Sequence, residues 1–550
     1  MFKLPEATSA AIKPMTSDEV RDVGYNKDST QFDGAVVPNT VVEKQKVKRW
    51  TWETPPEPIP EDMVSEIVDA DAIIIGGGIS GLATAARASQ LGLSVIVIEK
   101  TGGFVAHGGE VSSVGSSVQR ANGVHIDKYQ LARDWMRISG SRVNEDLLWL
   151  FINRSEEAFE WILKMGGDDV YCDLYGGYYK GKDFTEYPCA QHIYKKPGCT
   201  RWKYSGALMY CEMLYETATQ NGAKVLRSTQ GVQLVKENGR ICAVIAKNSE
   251  GKIIRYNGSR GVVLATGDIS GDAEMLEAFS PWGLLPRKCS SWPAGSNLGE
   301  GHKMGYWAGG KFEPAPWALS LHMTGYAAFM NFFLHVNPRG NRFMNEDTWS
   351  PGKSARVLMQ PGGDYAFSVF DAKWYEEAAR GAPYHGGQAS DPMIVYGEPW
   401  DSEVNRYPQS IEKYIGKGLA FRADTLEELA GMMAVPVDTF LKTVARYNEI
   451  YKLGEDTDYG KRPELLTSIE KPPFTAVKFG PALLNVFGGL ETDVKLRVLD
   501  DNRDPIDGLL AVGMIAGGLY GVDYPLLLSG NSHGRCLTWG IVAAETLAGN

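Results

Sequence analysis

A short apolar segment followed by three closely spaced glycines restricts the fold of this chain more than any other feature. Residues 72–75, AIII, are rich in β-branched side chains, as expected for a buried strand of a parallel sheet. Gly76, Gly78 and Gly81 follow at the spacing G-x-G-x-x-G. Gly76 permits a tight turn, Gly78 lets a pyrophosphate approach the backbone, and Gly81 lets a helix pack closely on the strand. This spacing predicts a strand, a turn and a helix that together bind a dinucleotide.

The residues around the glycine motif complete a βαβ unit. Ile79 and Ser80 lie at the start of the predicted helix, where unpaired N–H groups and the positive end of the helix dipole attract phosphates. A second apolar segment, residues 94–98, leads into Glu99 and Lys100. A carboxylate about 20 residues beyond the glycines can accept hydrogen bonds from ribose hydroxyls. A glycine-rich turn in another α/β fold would need none of these flanking parts, so the whole arrangement favours a dinucleotide site.

The charge and the cysteine content exclude several classes of protein. A net charge of −11 argues against binding to nucleic acids, which requires clustered positive charge. No apolar run is long enough for a membrane span, and the N-terminus lacks the pattern of an export signal, although a signal already removed would leave no trace. The 7 cysteines include no C-x-x-C pair, which predicts reduced thiols, a cytoplasmic location and no metal site.

Changes in composition predict the domain boundaries. Residues 1–68 are polar, end in a proline-rich stretch and carry two tryptophans, so we expect an N-terminal extension packed on the body. Residues 69–312 are predicted to form the first part of a nucleotide-binding domain, and residues 485–550 its second part. Residues 313–484 break the βαβ rhythm and are predicted to form an inserted domain. The aromatic, glycine-rich segment 168–210 fits either a loop near a site or a surface loop.

Four motifs occur in order along the chain. GGGISG at 76–81 with Glu99 is followed by ATGD at 265–268, LGEGHKMGYWAG at 298–309 and GLLAVGMIAGG at 508–518. Together they resemble the fumarate reductase/succinate dehydrogenase flavoprotein family, which includes 3-ketosteroid dehydrogenases and many anaerobic ene-reductases. The resemblance implies an α/β fold with a doubly wound, Rossmann-like FAD-binding domain in two chain segments. It also implies an inserted α+β capping domain that closes over the flavin.

The motifs and the resemblance assign FAD to residues in both chain segments. His107 precedes a Gly-Gly pair, but its spacing differs from that of the histidine that carries covalent flavin, so the FAD is expected to be non-covalent. The residues assigned to FAD are Gly76, Gly78, Ile79, Ser80, Gly81, Glu99, Lys100, His107, Gly108, Gly109, Ser113, Val232, Ala265, Thr266, Gly267, Asp272, Gly513, Ser529, Asn531 and Ser532.

Departures from the family pattern bear on the substrate. Fumarate reductases of this family hold two carboxylates with arginines and histidines, and an arginine of the capping domain donates the proton. Here Trp349 and Ser350 stand where that arginine is expected, NVFGG at 485–489 lacks the family histidine, and residues 523–531 lack the C-terminal arginine. A buried pocket without these charge-assisted partners loses several kcal/mol of binding to a dicarboxylate. Fumarate and succinate are therefore not expected to be substrates.

Aromatic and aliphatic side chains replace the missing charged groups. Tyr520, Tyr524 and the leucines at 526–528 precede SGNSHG at 529–534, which is similar to the layout of 3-ketosteroid dehydrogenases. A tyrosine hydroxyl and a backbone N–H can together polarise a ketone oxygen. Ordinary packing of the tyrosines, solvent-facing histidines and a charged surface turn fit these residues as well. The catalytic candidates are Tyr524, His322, Tyr520, Gly530, His533 and Arg342.

The predicted function is that of an FAD-dependent oxidoreductase. We expect it to reduce a carbonyl-activated C=C bond, in an enone or an acrylate-like substrate, by hydride transfer from flavin N5. Desaturation of a saturated ketone is the alternative, and a non-catalytic flavin protein for electron relay is an interpretation from another class. The lack of a redox C-x-x-C disfavours a nicotinamide-dependent disulfide reductase. No haem-binding C-x-x-C-H is present, so a separate electron donor or acceptor is expected.

Overall fold

The computed structural model describes residues 50–106, 108–175, 187–194, 206–289, 295–323, 325–327, 332–385 and 410–549. The chain divides into Met1–Trp50 and Thr51–Asn550, and the fold reported below belongs to the second unit. Several predictions fall outside the described residues: His107, the part of the extension at 1–49, and the parts of the aromatic segment at 176–186 and 195–205.

Strands and helices occur throughout the described residues, in part as runs of consecutive strands or helices. The strands are β1 (Glu66–Ile75), β2 (Val95–Ile98), β3 (Val170–Tyr175), β4 (Cys189–Tyr194), β5 (Lys224–Leu226), β6 (Thr229–Glu237), β7 (Arg240–Asn248), β8 (Ile253–Leu264), β9 (Ala318–His322), β10 (Leu334–Val336), β11 (Ala366–Phe370), β12 (Ala420–Ala423), β13 (Phe474–Phe479), β14 (Ala482–Phe487), β15 (Arg497–Leu499) and β16 (Pro505–Ala511). The helices are α1 (Ile79–Gln90), α2 (Ser117–Ala121), α3 (Lys128–Ile138), α4 (Glu145–Gly166), α5 (Ala207–Gln220), α6 (Ala273–Phe279), α7 (Glu300–Trp307), α8 (Ser350–Leu358), α9 (Trp374–His385), α10 (Ser410–Gly416), α11 (Leu426–Met433), α12 (Val437–Leu453) and α13 (Asn531–Ala548).

An eight-stranded sheet, the main sheet, carries the glycine motif. Its central order is β15-β16-β8-β1-β2-β5, and β7 pairs with both β8 and β6. β1 runs parallel to β2 on one side and to β8 on the other, so Ile75 lies level with Ile98 and Leu264 at the carboxyl ends of the three strands. Ligands of open parallel sheets bind outside this edge. The strand order therefore places the site where the glycine motif leaves β1.

Two positions of the motif must be glycine, because the backbone of another residue lies too close to leave space for a Cβ. Gly76 has a φ of 112°, and a Cβ there would overlap the carbonyl of Ala265. A Cβ at Gly81 would overlap the carbonyl of Gly76. α1 therefore starts directly against the turn that leaves β1. Gly78 is the N-cap and brings no side-chain cap, so the first N–H groups of α1 remain available at the carboxyl edge of the sheet.

The last helix packs against the first one. Gly540 of α13 makes this possible, because a Cβ there would lie 2.5 Å from Ala83 Cβ. Leu82, Ala83 and Trp539 are fully buried at or beside this contact. The sequence predicts this helix only over residues 537–547, but it begins at Asn531, directly after Gly530 at a φ of 75°. The two additional turns bring residues 531–533 to the carboxyl edge of the main sheet.

A second, antiparallel sheet lies in the segment between α7 and β14. Its strand order is β10-β11-β13-β12, and α11 and α12 contribute buried Leu429, Phe440 and Val444 to the core on it. β9 pairs with β14 outside this sheet, and Ser354 of α8 donates its hydroxyl to Leu321 O in β9 at 3.3 Å. The boundary predicted between residues 484 and 485 falls within β14.

Trp52, in the predicted N-terminal extension, is buried. Its ring centroid lies 5.5 Å from those of Phe279 and Tyr306 and 5.9 Å from that of Phe312. Trp307 Nε1 donates to Trp52 O at 2.8 Å. Aromatic contacts and this hydrogen bond thus hold the stretch that leads into β1.

Candidate functional site

A cavity of about 670 Å³ opens at the carboxyl edge of the main sheet. One group of lining residues, here called the nucleotide end, comes from the ends of β1, β2 and β8 and the start of α1. A second group, here called the reactive end, comes from residue 110, β9, β14 and the chain leading into α13. The nucleotide end includes Gly76, Gly78, Ile79, Ser80, Glu99, Lys100, Ala265, Thr266 and Gly267. The reactive end includes Glu110, Ser320, His322, Asn485, Phe487, Tyr524, Leu526, Gly530, Ser532 and His533.

Backbone hydrogen bonds fix the acidic residue of the nucleotide end. Glu99 Oε2 accepts from Gly77 N at 2.7 Å, and Glu99 Oε1 accepts from Thr101 N and Oγ1 at 2.7 Å each. Lys100 Nζ contacts Glu300 Oε1 at 2.5 Å, which joins the end of β2 to α7. A carboxylate oxygen can accept two hydrogen bonds, so Oε2, which accepts one here, has a further lone pair. Glu99 can therefore accept a ribose hydroxyl beside the uncapped N-terminus of α1.

Several residues assigned to FAD do not line the cavity but support it. Gly81 and Gly513 are packing positions, since a Cβ at Gly513 would overlap Ser80 Oγ. Asp272 caps α6 by accepting from Met275 N at 2.9 Å and pairs with Lys303 at 2.6 Å. The residues of this group are Gly81, Ser113, Val232, Asp272, Gly513, Ser529 and Asn531.

Three of these residues lie next to lining residues. Val232 follows Gly231, which lines the cavity at the start of β6. Asn531 Nδ2 donates to Pro525 O at 3.0 Å and to Leu528 O at 2.9 Å, so its side chain shapes the turn before α13. Ser529 Oγ donates to Leu526 O at 3.4 Å in the same turn. Gly108 and Gly109, also assigned to FAD, do line the cavity.

The sequence prediction missed a set of lining residues. Glu300 lies within the motif at 298–309 and Asn297 directly precedes it, so the motif could have indicated both residues. Phe487 lies in the NVFGG motif at 485–489 and Glu110 directly follows Gly109, so both stand beside residues already named. Only the folded chain, however, brings β14 and the loop after β2 together. The missed residues include Thr229, Gln230, Gly231, Ser296, Asn297, Glu300, Asn485, Phe487, Met514, Cys536 and Glu110.

Tyr524 presents a protonated hydroxyl at the reactive end. Its ring stacks on Phe487, with centroids 4.4 Å apart and planes at 9°. Its hydroxyl oxygen accepts from Ser532 N at 3.4 Å. Burial raises the pKa of Tyr524 to about 12. The hydroxyl is therefore neutral at physiological pH and retains its own proton for donation.

Two histidines line the same end of the cavity. His322 ends β9, and burial lowers its pKa while the nearby Glu110 carboxylate opposes that shift, so the ring is held toward the neutral form. His533 Nδ1 lies 2.6 Å from Glu110 O. A carbonyl oxygen only accepts, so Nδ1 carries the hydrogen in this contact. The neutral form of His533 thus keeps Nε2 as an acceptor.

Two other catalytic candidates do not line the cavity. The Tyr520 ring is buried behind Phe487, at 4.9 Å between centroids, and its hydroxyl has no hydrogen-bond partner among the described residues. Arg342 forms ion pairs with Glu346 and Asp456, both at 2.8 Å, beside the second sheet. Burial alone would lower the pKa of Arg342, but the charges and hydrogen bonds of Glu346 and Asp456 together outweigh it and raise the pKa above its ordinary value. Arg342 thus fits a buried structural role.

The residues present fit FAD. The α1 N-terminus without a cap suits a pyrophosphate and the fixed Glu99 carboxylate suits a ribose. A Cβ at Gly78 would meet only Val105 O, at 3.9 Å, so the space beside this backbone is open to a ligand. The cavity continues from these groups to the aromatic and aliphatic reactive end, which suits a flat ring system. An FAD molecule needs all of these sites in one cavity, since it contains a pyrophosphate, ribose hydroxyls and a flat ring system.

Comparison with known proteins agrees with this fit. The family model described as FAD binding domain matches residues 71–532. The chain belongs to this family. Its α/β fold, its FAD cofactor and its place among the fumarate reductase/succinate dehydrogenase flavoproteins, all predicted from the sequence, are confirmed.

Relatives and structures of this FAD-binding family resemble most of the chain. The chain is 25% identical to a fumarate reductase (cytochrome) of Shewanella frigidimarina over 492 residues, which is 87% of this chain and 77% of the relative. It is 24% identical to vinyl phenol reductase of Lactiplantibacillus plantarum over 478 residues, 82% of this chain and 91% of the relative. The crystal structure of 3-ketosteroid-delta4-(5alpha)-dehydrogenase from Rhodococcus jostii matches with a TM-score of 0.67 and 25% identity, covering 89% and 99% of the two chains.

These matches confirm the predicted enzyme class, an FAD-dependent oxidoreductase that acts on C=C or CH–CH groups. In the part of the chain that the structure describes, no helix has the length and apolarity needed to cross a bilayer.

Proposed function

We propose that this oxidoreductase reduces a C=C bond activated by a neighbouring carbonyl group, in an enone or an acrylate-like substrate. The observation that carries the proposal is the Tyr524 hydroxyl, which lies at the cavity with its proton available. A carbonyl oxygen gains negative charge when hydride reaches the β-carbon, and a fixed donor that meets this charge lowers the barrier. Reduced FAD, when bound, supplies the hydride.

The residues around Tyr524 orient the donor. Phe487 fixes the plane of the ring, and the Ser532 N–H donates to the hydroxyl oxygen at 3.4 Å, so the phenol keeps its own proton for donation. Donation from Ser532 N to the phenol oxygen polarises the O–H bond and strengthens it as a donor. His322 brings a second N–H to the same cavity. The chain thus supplies carbonyl polarisation and substrate orientation.

Desaturation of a saturated ketone is the second candidate. The similarity to the 3-ketosteroid-delta4-(5alpha)-dehydrogenase structure favours it, and a tyrosine that stabilises an enolate serves either direction. The names of other relatives favour reduction, since both the fumarate reductase and the vinyl phenol reductase reduce C=C bonds. An electron-relay protein needs no cavity lined by Tyr524, His322 and His533. A separate electron donor and a cytoplasmic location stay predictions.

Anaerobic rapid mixing tests the direction. Holoenzyme reduced with dithionite is mixed with an enone or with its saturated ketone, and flavin reoxidation is followed by absorbance. We expect rapid reoxidation by the enone and none by the saturated ketone. If the enone leaves the reduced flavin unchanged and the saturated ketone bleaches the oxidised enzyme, the protein is a desaturase and the proposal fails.

A further inference from the structure

The last helix carries a fully buried arginine next to residues that line the cavity. Ser532, His533 and Cys536 of α13 line it, and Arg535 stands among them in sequence without lining the cavity itself. The Arg535 side chain is completely shielded from solvent. Arginine stays protonated in proteins, and burial of its charge is unfavourable unless nearby groups stabilise it. The fold thus places a permanent positive charge in the interior, beside residues of the reactive end.

Neutral groups hold the Arg535 guanidinium in place. Nη2 donates to Met514 Sδ at 3.0 Å, and Nη1 donates to Ala516 O at 3.3 Å. Cζ lies 4.7 Å from the centroid of the Tyr520 ring. Nε is buried and has no hydrogen-bond partner among the described residues. A sulfur atom, a carbonyl oxygen and an aromatic face orient a cation without neutralising it, so its charge acts on the surrounding groups.

The acid on which this charge acts, Glu313, is itself partly protonated at neutral pH. Its carboxylate accepts from Gly518 N at 2.8 Å and from Gly489 N at 3.1 Å. Burial raises the pKa of Glu313 to about 7, against the opposing effects of these two hydrogen bonds and of the Arg535 charge. At pH 7 and below, Glu313 therefore cancels only part of the positive charge.

The charge of Arg535 acts on the hydroxyl group of Tyr524. Burial has the largest effect on the pKa of Tyr524 and raises it to about 12; the Arg535 charge opposes this rise, and the smaller effect of Glu110 adds to it. The Tyr520 ring packs between them, 4.7 Å from Arg535 Cζ and 5.4 Å from the centroid of the Tyr524 ring. Met514, which Arg535 contacts, lines the cavity with Tyr524. Because charges interact more strongly in a buried environment than in water, Arg535 favours negative charge at the Tyr524 oxygen and at an oxygen hydrogen-bonded to it.

We propose that Arg535 is a positioning residue whose buried positive charge, acting through Tyr524, makes the reactive end bind ligands with an anionic oxygen, such as phenolates, more tightly than uncharged ligands of the same shape. This inference rests on the proposed function and deepens it, because the carbonyl oxygen of an enone gains negative charge as hydride reaches the β-carbon. A charge that is fixed in the folded chain stabilises that developing charge without further reorganisation. Arg535 does not line the cavity and therefore acts through Tyr524.

A pair of fluorinated ligands tests the proposal. Pentafluorophenolate and hexafluorobenzene have nearly the same shape and differ in an anionic oxygen against a fluorine atom. Their binding to oxidised holoenzyme is measured by calorimetry at neutral pH, where the phenol is ionised. We expect the wild type to bind the phenolate at least about ten-fold more tightly than hexafluorobenzene. In Arg535→Met the affinity for the phenolate should fall about ten-fold, while that for hexafluorobenzene changes by less than about two-fold.

Control variants and turnover separate the possible outcomes. Arg535→Lys keeps the positive charge, so its affinity for the phenolate should stay within about three-fold of that of the wild type. Arg133→Met removes an equal charge from an exposed position in α3 and should leave both affinities unchanged. Arg535→Gln, which can still donate to Ala516 O, takes the place of Arg535→Met if that variant fails to retain FAD.

Two results overturn the proposal. One is an unchanged ratio of the two affinities when Arg535 is neutralised. The other is tighter binding of hexafluorobenzene than of the phenolate by the wild type. If the ratios agree with the proposal but no enone reoxidises reduced flavin, the proposed function fails and the effect of the Arg535 charge stands.

Discussion

At the residue scale, the proposed chemistry depends on the Tyr524 hydroxyl group, whose oxygen already accepts a hydrogen bond from Ser532 N. Phe487 stacks on the Tyr524 ring, and Tyr524 lines the cavity. Tyr520 offers a natural comparison, because its ring packs nearby while its hydroxyl lies outside the cavity lining. The sequence offers both tyrosines as catalytic candidates, and only their packing in the folded chain distinguishes them.

Substitution of Tyr524 should separate catalysis from packing. Tyr524→Phe removes the donor and keeps the ring, so the rate of enone reduction should fall by about 10²–10³-fold with FAD content unchanged. Tyr520→Phe is the matched control and should change the rate by less than about two-fold, since its hydroxyl has no described hydrogen-bond partner. Single-turnover reoxidation of the flavin measures both. Equal losses in the two variants would assign Tyr524 to packing.

Glu313 should make stability depend on pH. Burial raises its pKa to about 7, although Gly518 N and Gly489 N donate to its carboxylate at 2.8 and 3.1 Å. Because the folded-state pKa lies above the ordinary value of 4.5, the stabilising contribution is complete below about pH 4.5 and is lost as pH rises through 7. Within that window the free energy of unfolding should fall by about 1.4 kcal/mol per pH unit from this group.

Glu313→Gln provides the measurement. The two glycines donate to different oxygens of Glu313, so the single amide oxygen of glutamine can replace only one acceptor and the variant should lose some stability at every pH. Glutamine does not titrate, so the variant should lack this part of the pH dependence. Urea unfolding of wild type and variant at pH 5 and pH 7 gives the difference directly. Other buried groups, such as Glu377, contribute equally to both proteins and cancel in the comparison. Parallel pH profiles would contradict the assignment.

At the element scale, the close packing of α1 and α13 holds the two chain segments of the site together. Gly540 faces Ala83 and the backbone of Thr84, and the start of α13 carries Ser532 and His533 to the cavity. Both helices are rich in small residues that let their backbones approach closely. A change at this contact should therefore affect stability and the position of the reactive residues.

A pair of glycine substitutions tests this packing. In Gly540→Ala the added methyl group would lie 2.5 Å from Ala83 Cβ, so we expect a loss of about 1–3 kcal/mol in the free energy of unfolding. Gly431→Ala in α11 is the control, because its Cβ would meet nothing within 4 Å. There the better helix propensity of alanine should raise stability by up to about 1 kcal/mol. Thermal unfolding distinguishes the two, and equal effects would contradict the packing argument.

Local sequence patterns predicted the strand and helix around the glycine motif. The predicted bounds of β1 and α13 were too short, because contacts between distant parts of the chain extend both elements. The strand predicted over 72–75 extends back to Glu66, because β8 pairs with that half of β1 although its side chains are partly exposed. The start of α13 was missed because Gly530 ends one turn and begins the helix with a positive φ. Periodicity does not report such tertiary partners.

At the scale of the whole molecule, the cavity joins segments that are hundreds of residues apart in the chain. Glu110, His322, Phe487 and Tyr524 each come from a different part of the sequence and meet only at the carboxyl edge of the main sheet. The glycine motif was predictable because its residues are adjacent in sequence. Arg342 shows the opposite case: its charge is visible in the sequence, but its burial between Glu346 and Asp456 is not.

Removal of FAD should destabilise the whole fold. FAD is expected to fill the cavity between the main sheet, β9 and α13, and a ligand that binds only the folded state stabilises it by about 4 kcal/mol at 1,000 times its Kd. The apoprotein should therefore unfold at a lower temperature, and added FAD should restore the holoenzyme value. Adenosine diphosphate should restore it only in part, because it reaches only the nucleotide end. Identical melting temperatures with and without FAD would contradict this placement.

Tyr524 is proposed to donate a hydrogen bond to the carbonyl oxygen of an enone, and a crystal structure of oxidised holoenzyme with a bound enone would show this contact. We predict a distance of about 2.5–3.0 Å between the substrate carbonyl oxygen and Tyr524 Oη. A bound enone whose carbonyl oxygen lies beyond hydrogen-bond distance of Tyr524 Oη and contacts another donor would contradict the account.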